Sequence, residues 1–496
     1  MKRSVVIVIT VLFATVCCWA VPYASLMRVS LKSTGVGAGL TITYQLNEAA
    51  DSVNISIIKN AGGTTAATFP GATNQTTNTV VWDGTVNNAH GAAVGAGDYY
   101  VRIEANKNIS GGWREIASNR SVGNYSPPAA LNTIFMGYSG KDLIITQRTE
   151  SDAFGMIIGS SSYIGGGTDG PNHAACIVFN PDTSILFGGD GFDSRVLRAP
   201  RDYLGTASSQ DVWGVSFDPD NPEAVFICGQ AGGGADPGLT GLMYGTPLTS
   251  ESLVDADPLD INSANLPRLV AVAKEGSQKF AYFSQGSSTV YKVEVDANNQ
   301  LTGTGNNIMS LAVATRYSKE VVFDGSGNLY WSSRRDGTNG ELNGAVYRWN
   351  NSQILGNPPA TPLTEDNAVW AIQAGPNMSS LLGVAITPSG DAYTAFAAGA
   401  ESGIYYIGNV STPTISKILT VADRVVDFTT IGGTGWVTSG FGGCLRPDIA
   451  GNIYVTDNST EQLRAFSPPG VTTKIINAPS SQLFTITSGI QGWPMY

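Results

Sequence analysis

Few residues in this chain have the types and spacing that chemistry usually requires. Among 496 residues there are 2 histidines, His90 and His173, far apart in sequence. No His-Glu-x-x-His, paired-histidine or Cys-x-x-Cys pattern occurs, so the usual zinc sites are not signalled. The glycine runs at 165–167 and 232–234 are not followed by the Lys-Ser/Thr that a phosphate-binding loop needs. Asp255, Asp257 and Asp260 carry oxygens suited to calcium, but the glycine and closing glutamate of an EF-hand loop are missing, and a solvated loop explains them. What remains to weigh as a ligand site is His173, Asp211, Trp213, Arg268, Tyr317, Lys319 and Glu320. His173 lacks a visible partner to fix it as a general base, and Asp211 with Glu320 supplies too few oxygens for a hard cation. No catalytic residue, metal or cofactor is assigned.

Repetition is what would bring those seven side chains together. Six segments share an apolar strand, a turn with Pro, Gly or Asp, and a following strand, and their equivalent apolar positions are Phe179, Phe217, Val272, Phe323, Ile386 and Leu445. The spacing, about 40–60 residues, is that of four-stranded propeller blades with loop insertions. Four residues before the anchors stand Ala175, Trp213, Arg268, Lys319, Leu382 and Phe441; six before stand His173, Asp211, Leu266, Tyr317, Ser380 and Ser439. In a propeller these positions approach the channel mouth. A further blade is built from residues 133–136, 143–146 and 156–158, which gives six or seven blades. Two large packed sheets are the competing architecture.

Composition agrees with an all-β chain. It holds 59 glycines with only 14% charged residues, and Ser, Thr, Asn, Val, Ile and Tyr replace the Ala, Leu, Glu and Lys of helical proteins. The net charge of -11, without any basic cluster, argues against nucleic acid. Lys2 and Arg3 precede an apolar run from Val5 to Val16 and the Cys18-Trp19-Ala20 step, a pattern read as a signal peptide cleaved after Ala20. No later segment is long and apolar enough to span a membrane. Without the leader, Cys176, Cys228 and Cys444 remain; an odd number cannot pair fully, and Cys176 and Cys444, in apolar strand contexts, are expected as buried free thiols.

From Leu26 to Ala105 short strands alternate, as at residues 40–46 and 53–57, and lead to Trp82-Asp83-Gly84, Gly91 and a final strand opened by Gly97 and Tyr99. Trp82 is expected in a core rather than as a sugar platform, and Asp83-Gly84 in a turn with positive φ. This stretch resembles the Ig-like domain of the flagellar hook-capping protein FlgD, which implies a small β-sandwich serving as spacer or docking module. The last repeat, Gly451-Asn-Ile-Tyr-Val-Thr-Asp457 with a third strand ending at Phe466, resembles NHL propeller repeats. A six-bladed propeller also suggests the gluconolactonase group, but neither Asp211 nor Glu320 sits in a matching motif.

The expected organisation is a signal peptide over 1–20, a sandwich over 21–125, a linker over 126–130 at Ser126-Pro127-Pro128, and a propeller over 131–496. The expected function is a secreted or cell-surface (or periplasmic) binding or scaffold protein that holds a protein or glycan at the propeller mouth. The alternative is a secreted propeller hydrolase of the gluconolactonase-like type.

Overall fold

The computed structural model describes residues 22–31, 39–89, 91–118, 140–161, 175–184, 196–198, 210–231, 242–245, 254–255, 267–285, 289–309, 318–333, 344–409, 417–428, 444–457 and 462–486. The signal-peptide and linker assignments lie outside these residues.

The N-terminal part is a two-sheet sandwich. Ala24–Leu31, Leu40–Leu46 and Thr76–Trp82 form one sheet; Ser52–Lys59, Thr65–Pro70 and Gly97–Ile109 belong to the other. Strict alternation places Tyr99, Val101, Ile103 and Ala105 in the core, because successive strand side chains point to opposite faces. Trp82 is 2% exposed, stacks on Phe69 at 6.4 Å and donates from Nε1 to the Thr85 carbonyl. It is a core residue. Asp83 accepts both the Thr85 N–H and its hydroxyl, and Gly84 follows at φ 83°, the turn expected there.

Six further sheets form a β-propeller. Their innermost strands are Gly140–Ile145, Gln210–Phe217, Pro267–Glu275, Ser318–Phe323, Ser379–Ile386 and Leu445–Pro447, which open blades 1 to 6. Each touches the next, and the last touches the first, so the ring is closed. Blade count and register correct two expectations. The segment ending at Phe179 is the third strand of blade 1, in the same sheet as Leu143 and Ile157, so the extra blade and the first repeat are one. The error has a physical origin: first and third strands of a blade run in the same direction into similar turns. In blade 6 the equivalent of Phe323 is Pro447, two residues beyond Leu445, since Asp324 and Asp448 open matching turns.

Those turns show why this sequence punctuates the blades. Asp324 accepts the N–H groups of Ser326 and Asn328 on one oxygen, and the Asn328 side chain and the Tyr330 hydroxyl on the other. Asp448 accepts the N–H groups of Ala450 and Asn452 and the Asn452 side chain in the same way. Gly327 and Gly451 sit at positive φ in these turns, where a side chain would be strained.

The expected sequential division fails at both ends. Arg114–Ser118, assigned to the sandwich by the 125/126 boundary, is the outer strand of blade 6, held by Arg464–Glu115 contacts of 2.8 and 2.7 Å. Conversely, Gly470–Asn477 and Phe484–Ile486 pair with Gly97–Ile109 and complete the sandwich. Closing a ring with a strand from the opposite end of the chain removes exposed sheet edges, and here that strand follows directly from the sandwich.

The two bodies are packed together. Phe154, in the first turn of blade 1, is 2% exposed within the sandwich core and meets Tyr23 at 5.4 Å. Leu26 donates its N–H to the Phe154 carbonyl, and Asp152 accepts from the Ser481 hydroxyl at 2.6 Å. A β-carbon on Gly155 would lie 2.5 Å from that of Ser25, so the approach demands glycine.

Candidate functional site

The inner strands are edges of their sheets, and an edge presents backbone groups that need partners. Three are satisfied by side chains of the preceding blade. Asp142 of blade 1 accepts the Val215 N–H, Ser216 of blade 2 accepts the Val272 N–H at 2.8 Å, and Glu320 of blade 4 accepts the Val384 N–H at 2.7 Å. Glu320 comes so close that a β-carbon on Gly383 would lie 2.2 Å from its Oε2.

Blades 1 and 4 face each other across the ring, and Arg446 of blade 6 joins their carboxylates. Its Nη2 bonds Asp142 Oδ1 at 2.7 Å and its Nη1 pairs with Glu320. Burial pulls the guanidinium pKa down, and the Asp142 carboxylate works against that pull. Asp142 also accepts the Leu143 N–H and donates its own to Ser160. Lys319 is buried nearby, close enough that its charge lowers the Cys444 thiol pKa in part. Two carboxylates thus face two cations. Cys444 and Cys228 are buried free thiols, as expected for Cys444; burial and then the Asp142 charge push both thiols up, away from nucleophilic reactivity. The Cys176 side chain lies outside the described residues.

A cavity of about 760 Å³ opens at the turn end of this channel. It is lined by Arg446, by the partly exposed Phe217, Phe323 and Ile386, and by Gln147 and Ser389.

The seven predicted residues fare unevenly. His173 and Tyr317 lie outside the described residues. Asp211, Trp213 and Arg268 lie on the inner strands of blades 2 and 3, but their side chains are likewise outside the description. Lys319 and Glu320 are 4% and 2% exposed, so they are channel residues rather than open mouth contacts. The reason is local. In blades 2 to 5 the residue four before the anchor falls where the pairing register shifts: Trp213, Arg268, Lys319 and Leu382. A bulge re-aims the side chain there, and in blades 4 and 5 it is buried. The four positions are therefore structurally equivalent in blades 2 to 5. The equivalence fails in blade 1, where Ala175 starts a third strand, and in blade 6, where the register is two residues short. Sequence reasoning missed Asp142 and Arg446. A cation among the apolar residues of an inner strand was the available signal for Arg446.

Among the described residues no three His, Cys, Asp or Glu side chains gather to hold a metal ion, and no helix is long and apolar enough to cross a membrane.

Comparison with known proteins gives one assignment within the chain. Residues 29–108 match the family model of the FlgD Ig-like domain, three residues later at each end than the stretch that carried the resemblance. No curated protein matches the sequence. Among solved structures, a protein of unknown function from Bacteroides thetaiotaomicron aligns over 90% of this chain and 98% of its own, with 9% identity and a TM-score of 0.36. A gluconolactonase from Xanthomonas campestris aligns over 57% of this chain and 87% of its own, with 12% identity and a TM-score of 0.30. Neither likeness carries an argument about chemistry.

Proposed function

We propose that this is a secreted or cell-surface binding or scaffold protein rather than an enzyme. Its propeller channel holds a protein or glycan, and the FlgD-type sandwich fixes how that channel is presented. Residues 1–20 serve as the leader, cleaved after Ala20, and the propeller repeats are read as NHL-type on the strength of Gly451-Asn-Ile-Tyr-Val-Thr-Asp457. One observation carries the reading. Glu320, the carboxylate among the candidate ligand-site residues whose side chain is described, is taken up by Arg446 and the Val384 N–H. A carboxylate so engaged is a poor general base and a poor metal ligand.

The test is binding of the full chain to a glycan array and to the host's exported proteins. Trp213→Ala and Arg268→Ala are each expected to weaken binding by about 2 kcal/mol or more, as buried interface aromatics and arginines do. Divalent-metal-dependent hydrolysis of a sugar lactone or polysaccharide, lost in Asp211→Asn or Glu320→Gln, would establish the hydrolase instead. Unchanged binding in both Trp213→Ala and Arg268→Ala would move the ligand to the turn-end cavity lined by Arg446.

A further inference from the structure

The matching turns of blades 4 and 6 differ in one partner. In blade 4 the turn aspartate Asp324 receives the hydroxyl of its own blade's Tyr330 at 3.0 Å. In blade 6 the equivalent tyrosine, Tyr454, turns away and donates to the Pro181 carbonyl of blade 1 at 2.7 Å. Tyr23 of the sandwich lies close to Asp448 and Tyr454 instead, and the Asp448 turn packs on the sandwich through Ala450, which belongs to the sandwich core with Tyr23. Asp448 is 0% exposed, sealed between the two bodies.

We infer that Asp448 and Tyr23 form a pH-dependent latch that sets how firmly the sandwich is held against the propeller. The groups facing Asp448 are few. The sandwich contributes Tyr23 and Lys474, whose Nζ donates to the Ile449 carbonyl at 2.9 Å. Blade 1 contributes Asp182, already engaged with Ser184, and blade 6 contributes Tyr454 and Asn452. Arg446, two residues away, faces the channel and pairs with Asp142 and Glu320. Among the described residues no cation pairs directly with the carboxylate. Burial pushes it up to about 6, against the hydrogen bonds of Asn452 and Ala450 and the more distant charge of Lys474.

The sign follows from linkage. An acid whose pKa rises on docking takes up a proton as the bodies close. Docking is then tightest below the ordinary carboxylate range and loosens as pH climbs through about 4 to 6, staying flat above.

The reporter is the Leu26 amide, which crosses the junction to the Phe154 carbonyl. Its hydrogen-exchange protection in the full chain, corrected for intrinsic exchange, is expected to rise at least tenfold from pH 7.5 to pH 4.5; two pKa units set a ceiling of about a hundredfold. Asp448→Asn keeps the turn's acceptor without a charge and should be well protected and flat with pH. Tyr23→Phe removes the polar hydroxyl nearest the ionised form, so it should lose protection at pH 7.5 and little at pH 4.5. A flat wild-type profile, or an unchanged slope in Asp448→Asn, would overturn the latch.

Discussion

The sandwich and the propeller bury their apolar side chains in different ways. The sandwich has one continuous core, in which Trp82, Tyr99 and Phe69 meet Phe484 from the end of the chain and Phe154 and Ala450 from the propeller. The propeller divides its core among clusters lying between neighbouring blades, such as Trp331, Tyr347 and Trp349 with Tyr282, or Phe226 and Phe283 with Val293. A single core assembled from three separated stretches fails as a whole when one is withdrawn. A core in parcels fails locally.

Truncation after Pro469 is the most severe test of that contrast. It removes Gly470–Asn477 from the edge of Gly97–Ile109, and with it Phe484, which sits 6.3 Å from Trp82 and 6.0 Å from Tyr99. The sandwich is expected to unfold outright, seen as loss of near-ultraviolet dichroism and rapid proteolysis before residue 110, while blades 2 to 5 stay protected. Protection of the sandwich in the truncated chain would show that its core is autonomous.

Trp82→Ala comes next, at about 3–5 kcal/mol for a large buried aromatic. Denaturant unfolding should show the loss, and exchange should spread to Leu26 at the junction without reaching the blade 3–4 cluster. A change under about 0.5 kcal/mol, as surface sites give, would return Trp82 to the sugar-platform reading. Arg28→Ala should do least. Its side chain is 47% exposed and stands 3.4 Å from Asp152, so the pair is worth about 0–1 kcal/mol and less at high salt. A larger loss would mean that the junction depends on surface charge rather than on Phe154.

How far the sequence could be read depends on whether a feature is periodic or long-range. The alternation around Tyr99, the Trp82-Asp83-Gly84 turn and the repeated blade turns are local, so they were legible together with the all-β class. The equivalence of Trp213, Arg268, Lys319 and Leu382 was legible too, because a repeat fixes spacing, but the bulge that each occupies was not. Strand exchange was not. Nothing in residues 114–118 marks them as the partner of residues 464–467, since antiparallel pairing carries no label in the strand itself. The Asp142–Arg446–Glu320 bridge was hidden for the same reason: its members lie up to 304 residues apart and meet only once the ring closes.

Sequence separation has a further consequence, one of timing. The ring-closing contact between Glu115 and Arg464 spans 349 residues, and Gln482 meets Val29 across 453. Loops of that length close slowly, and contacts so distant form late in folding. Neither body can be completed before residues 462–477 reach residues 97–118, because a sandwich strand and the outer strand of blade 6 are both paired across that separation.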